Sequence, residues 1–85
     1  MKEKGQTMKH EIKIAPEYYE AVAWGRKNFE LRKDDRGYQV GDILCMREWD
    51  GQQYTDKAPL NREITYILRD CPKYGLKAGY CILGF

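Results

Sequence analysis

Apolar and charged residues alternate at a period of two in three separate stretches of this chain, and that pattern restricts the fold more than any other feature. It occurs in His10-Glu11-Ile12-Lys13-Ile14, in Phe29-Glu30-Leu31-Arg32 and from Arg62 to Leu68, where Ile64, Tyr66 and Leu68 share one side. Side chains of a strand point alternately to opposite faces, so such a segment reads as a strand with one face buried. Phe29 and Leu31 are therefore expected to face a core, with Glu30 and Arg32 together on the other face. Ile43 to Trp49 is apolar enough, and long enough, to lie centrally in a sheet. Asp50-Gly51 follows as a hairpin dipeptide, glycine supplying the positive φ of the turn. Gln52 to Asn61, interrupted by Pro59, reads as a ragged hairpin tip, and Tyr80 to Phe85 as a closing strand.

A single helix signal stands between the first two strands. Pro16 opens it, at a position that needs no backbone N–H. Glu17 and Glu20 sit near its start, where negative charge meets the positive end of the helix dipole, and Gly25 ends it. Successive residues at about 100° place Tyr18, Tyr19 and Val22 on one side with Ala23 at the edge. Trp24 falls on the opposite side, beside Glu17 and Glu20. Lys33 to Gly37, Val40-Gly41-Asp42 and Arg69 to Gly79 are turn-rich connections. Five or six strands with one or two short helices, and no repeated strand–helix alternation, exclude a parallel doubly wound sheet. The expected class is mainly β (α+β): a small, mostly antiparallel sheet curled into a barrel, which hides its edges.

With 85 residues the chain has room for one domain and a small core. Residues 1–7 are polar and read as a flexible leader, Met8 being an equally good start, and residues 8–85 form the single domain. Fifteen basic and thirteen acidic residues leave a net charge of +2, too balanced for a strong non-specific grip on nucleic acid. No apolar run approaches the roughly 20 residues of a membrane-spanning helix, and the charged start lacks the apolar segment of a secretory signal. Cys45, Cys71 and Cys81 are odd in number and unpaired in spacing, as in a reduced cytoplasmic protein. With His10 as the one histidine, they do not supply the four ordered ligands of a zinc site; no metal or cofactor is expected. The chain contains no serine, which removes a serine nucleophile. Seven of the eleven aromatics are tyrosines, suited both to half-buried sheet faces and to the rims of clefts.

The chemistry concentrates between Trp24 and Lys33. Lys27 lies just past the helix end, and the Cα atoms of Glu30 and Arg32 should be roughly 6 to 7 Å apart on one strand face. Arg32 can offer its planar fork to a phosphate, a carboxylate or a base edge. Glu30 can accept hydrogen bonds from a base amino group, or hold Arg32 in place. Lys27 can supply a point charge, or act as a base if burial lowers its pKa. A weak surface ion pair would give the same alternation. Between Gly25 and Arg36 five basic residues (Arg26, Lys27, Arg32, Lys33, Arg36) face three acidic ones, a surplus equal to that of the whole chain. Trp24 is a candidate for stacking on a base, or packs under a neighbouring loop. Core or hairpin packing accounts for Tyr38 and Trp49, and His10 reads as a strand residue.

A helix ending in Gly25, then Arg26-Lys27-x-x-Glu30-x-Arg32, then Val40-Gly41-Asp42-Ile43 opening a strand, resembles the ASCH domains of the PUA-like superfamily. The start His10 to Ile14 and the end Gly79 to Gly84 are similar to a short bacterial and phage branch with no assigned function. The resemblance implies a β-barrel with a cleft beside the first helix, and RNA binding. The candidate ligand contacts are Trp24, Arg26, Lys27, Glu30, Arg32 and Lys33. One small bacterial member type hydrolyses an acetylated cytidine with the motif lysine and a threonine at the position of Glu30; that threonine is absent here. The leading expectation is a module that binds RNA or a nucleotide-like ligand. The alternatives are an amide hydrolase on a modified cytidine, using Lys27 and Glu30, and a protein-interaction or phage accessory domain.

Overall fold

A computed structural model describes residues 7–85. The expectation of a flexible leader falls almost wholly outside them; Thr7 is exposed. The elements are β1 (Lys9–Ile14), α1 (Pro16–Ala23), β2 (Phe29–Lys33), β3 (Ile43–Glu48), β4 (Leu60–Glu63), β5 (Tyr66–Leu68), a 3-10 turn (Pro72–Tyr74) and β6 (Tyr80–Gly84). The fold is mainly β with one helix, and its strands lie in two three-stranded sheets ordered β1-β3-β4 and β2-β6-β5. β3 and β6 are the central strands of their sheets, β3 as its apolar run leads one to expect. β1 and β3 run parallel while the other three pairings are antiparallel. The parallel pair is possible because α1 and β2 together provide the long crossover that it needs.

The sheets meet where the chain changes partner. The Ile64 N–H donates to the Asp42 carbonyl of the first sheet, and the Thr65 N–H donates to the Gly84 carbonyl of the second. This transfer divides the expected 62–68 strand into β4 and β5 and slips its alternation by one residue. Ile64 is buried and Ile67 packs on the core, while Tyr66 and Leu68 are exposed, contrary to the expectation of one shared inner side.

No ladder closes the six strands into one ring among the described residues. Two arginine side chains instead cover the outer edge of β1. β1 spends the carbonyls of Met8 and Ile14 on β3, which leaves those of Glu11 and Lys13 facing outward. Arg36 donates to the Glu11 carbonyl and Arg32 to the Lys13 carbonyl, so the edge is covered without a partner strand.

The core joins Ile12 and Ile14 of β1, Tyr19 and Val22 of α1, Leu44 and Met46 of β3, and Cys81 and Leu83 of β6, together with Tyr38 and Ile64. Tyr19 also anchors the helix by donating its hydroxyl to the Ala58 carbonyl at 2.7 Å. Tyr18, expected beside it, is half exposed, because neighbours on so short a helix diverge by more than its buried stripe is wide.

Candidate functional site

The site begins with how α1 stops. Gly25 takes a left-handed φ of +74°. Its N–H donates to the Val22 carbonyl, and the Arg26 and Lys27 N–H groups both donate to the Ala21 carbonyl. This is a Schellman termination, which needs a residue without a Cβ at that φ. It folds the chain back over the end of the helix and delivers Lys27 to the start of β2.

β2 then presents its side chains in the phase opposite to that expected. Glu30 is buried, at 5% exposure, whereas Phe29 and Leu31 are 45% and 58% exposed. The pairing with β6 decides this: Glu30 lies opposite Leu83 and Arg32 opposite Cys81, and both β6 residues are buried. The outer face is compensated by an apolar ladder, with Phe29, Gly84 and Tyr66 in one row and Leu31, Ile82 and Leu68 in the next. Cross-strand apolar neighbours of this kind stabilise a sheet face that is open to water.

A carboxylate can point inward here because two cations meet it. The Lys27 ammonium bonds to Glu30 Oε1, and also to the Phe29 carbonyl at 2.7 Å. Arg32 places one terminal nitrogen 3.4 Å from Glu30 Oε2 and 2.9 Å from the Lys13 carbonyl. Of the two roles open to Glu30, the geometry favours holding the cations, since each oxygen already has one. The trio carries a net +1 and stays partly open, with the Lys27 and Arg32 side chains 16% and 25% exposed. Beside it lies a cleft of about 350 Å³ lined by Tyr18, Lys27, Phe29, Glu30 and Leu31. The Lys27 ammonium stands 5.1 Å from the ring centres of both Tyr18 and Phe29. The arrangement therefore offers fixed positive charge between two aromatic faces, which suits a planar anionic ligand.

The remaining candidates lie outside this convergence. Trp24 caps the helix and is 74% exposed; it neither lines the cleft nor packs under a loop. Arg26 is exposed next to it. Lys33 has the strand parity of Phe29 and Leu31, so it points away from Glu30 and Arg32. Tyr18, Phe29 and Leu31 line the cleft and were not readable as site residues, because the helical stripe and the strand alternation both assigned them to the core.

A second cavity of about 340 Å³ lies where β1 runs into α1, between Lys13, Pro16 and the Trp49-Asp50-Gly51 turn. Cys45 and Cys81 are buried and Cys71 is half-buried, all as free thiols; burial pushes the Cys81 thiol up. Among the described residues no group of three His, Cys, Asp or Glu could hold a metal, and no helix is long and apolar enough to cross a membrane.

Residues 9–85 match the family described as a domain of unknown function, DUF3850. An uncharacterized 12.9 kDa protein of Escherichia phage P2, encoded in the GpA 3' region, is 45% identical over 40 residues, which cover 47% of this chain and 37% of that protein. The chain thus spans well under half the length of that curated relative. Because the family match takes in every strand and the helix, the chain belongs to the DUF3850 family.

Proposed function

We propose that this chain is an ASCH-like, PUA-like module that binds RNA or a nucleotide-like ligand in the cleft beside α1. The observation that carries the reading is the convergence of Lys27 and Arg32 on a buried Glu30 at the wall of an open cleft with aromatic sides. Two sheets in place of a closed ladder remain compatible with a barrel whose gap is bridged by arginines. Phosphate or base edge would meet Lys27 and Arg32, and Tyr18 and Phe29 would flank the base or ribose.

The hydrolytic alternative has less support. Glu30 stands in place of the threonine hydroxyl, and both of its oxygens are engaged by cations.

Calorimetric titration with a panel of nucleotides and short RNAs at low salt tests the proposal. Modest affinity is expected, with a shallow salt dependence of about one to two phosphates' worth. Arg32→Ala and Lys27→Ala should each weaken binding about tenfold, the equivalent of about 1.4 kcal/mol. The proposal fails if nothing in the panel binds, or if Arg32→Ala binds as well as the parent chain. Release of acetate from acetylated cytidine above a Lys27→Ala control would replace it with the hydrolase reading.

A further inference from the structure

The outer face of the first sheet carries a second cluster that the cleft does not use. Trp49 and Tyr54 form an isolated bridge across the hairpin, with ring centres 5.0 Å apart and planes at 78°. The Lys13 ammonium sits 3.9 Å from the Trp49 ring centre, and the Arg47 guanidinium 3.8 Å from that of Tyr54. Glu11 holds Arg47 in this position at 2.8 Å. Lys13 and Trp49 also line the second cavity.

One side chain touches a wall residue of each cavity. The Arg32 nitrogen that contacts Glu30, in the wall of the first cleft, also contacts the carbonyl of Lys13, in the wall of the second. Two aromatic pairs, each with cations beside its rings, stand at the ends: Tyr18 and Phe29 with Lys27, and Trp49 and Tyr54 with Lys13 and Arg47; Arg32 lies between them. Rings and cations grouped in this way suit a strand with unstacked bases, a ring taking a base and a cation the phosphate beside it.

We propose that Trp49, Tyr54 and Lys13 form a second nucleotide subsite, so that the ligand is a single-stranded oligonucleotide segment spanning both cavities. This rests on the nucleotide reading of the first cleft and goes beyond it by naming the ligand class. Lys13 covers the Trp49 face in the free protein. An arriving base takes that face, and the flexible lysine swings to the adjoining phosphate. A duplex is disfavoured because its bases hide the faces that the rings would contact, and the chain's net charge of +2 offers few compensating backbone contacts.

The test is calorimetry of the full chain with uridine monophosphate and with oligouridylates and oligothymidylates of two, four and six nucleotides, at low salt. Affinity should rise about tenfold or more from the mononucleotide to the tetramer, for ribose or deoxyribose strands. Trp49→Ala and the exposed-site variant Lys13→Glu should each remove about tenfold of tetramer affinity while leaving the mononucleotide within about twofold. Thermal unfolding of both variants separates a lost contact from a lost fold, and Lys13→Glu carries the test if Trp49→Ala does not fold. A mononucleotide that binds as tightly as the tetramer overturns the second subsite and leaves the first cleft standing. So does tetramer binding that needs Arg32 but is untouched by both Trp49→Ala and Lys13→Glu. Tetramer binding that needs Trp49 or Lys13 but not Arg32 supports the second subsite and overturns the first. No binding of any length overturns both.

Discussion

Two of the buried polar clusters among the described residues are built differently. In the first, the His10 ring of β1 donates an N–H to the Asp42 carboxylate at 2.8 Å. The Asp42 carboxylate also receives the N–H groups of Met8 and Gln39 at 3.2 and 3.1 Å, and the Tyr38 ring closes over His10 edge-on at 4.8 Å. Both members are buried, and neither lines either of the two cavities. In the second, Glu30 is equally buried, but its partners are two half-buried cations at the wall of an open cleft. Burial of a charge therefore does not by itself mark a ligand site. A carboxylate satisfied largely by backbone amides holds a turn; one satisfied by side-chain cations beside a cavity holds those cations at the cavity wall.

That contrast can be broken most severely at Asp42. Asp42→Ala strips His10 and two backbone amides of their acceptor, and should cost about 3 to 5 kcal/mol by urea denaturation, as for other broken buried pairs. A loss below about 1 kcal/mol, the scale of a surface pair, would erase the distinction between the clusters. Glu30→Ala comes next. Its cations are partly solvated and can turn to water, so a loss of about 1 to 3 kcal/mol is expected. Nucleotide affinity should fall with it, because Lys27 and Arg32 are no longer held. Tighter binding of the ligand by Glu30→Ala would show that the carboxylate repels the ligand and does not position the cations.

A smaller effect sharpens the comparison from outside. Leu31→Lys should cost no more than about 1 kcal/mol, the scale of one cross-strand pair on an open sheet face. A loss above about 2 kcal/mol would return Leu31 to the core and Glu30 to solvent. The smallest effect belongs to a third carboxylate, Asp50, which is fully exposed. The Gln53 and Gln52 backbone amides hold its carboxyl below the usual carboxylate range, both bonding to one oxygen at 2.9 and 2.8 Å. A carboxyl lowered in the folded state adds stability above its unfolded pKa of about 4, and that stability is lost as the pH falls through the lower folded value. Asp50→Asn should therefore flatten the acid side of the stability curve slightly, measured as urea midpoints below about pH 4. An unchanged acid limb would mean that the turn forms without the charge.

The site was partly legible in the residues and partly hidden by their own pattern. Gly25 signalled the helix end, and with it the place of Lys27. The two-residue spacing of Glu30 and Arg32 signalled a shared strand face. The same alternation misassigned which face that was. Phe29 and Leu31 looked like core residues, whereas they form an outer apolar ladder with Ile82, Tyr66 and Leu68. Alternation reports that two faces differ; it does not report which one meets the protein when the neighbouring strand supplies an apolar row on both sides. Trp24 lies outside the cleft for a related reason. Its place on the polar side of α1 was correct, but the cleft opens past the opposite side, at Tyr18.

The sequence by itself determined the local elements: the helix between Pro16 and Gly25, the strands from their period-two and apolar runs, the hairpin turn at Asp50-Gly51, and the central position of the apolar strand β3. These depend on backbone preferences and on the polarity of near neighbours, which adjacent residues carry. Only the tertiary structure decided the parallel pairing of β1 with β3, the change of partner at Ile64-Thr65, and the inward turn of Glu30 toward Lys27 and Arg32. Each of these depends on hydrogen-bond register and charge compensation between residues distant in the chain, and no local pattern encodes that free energy.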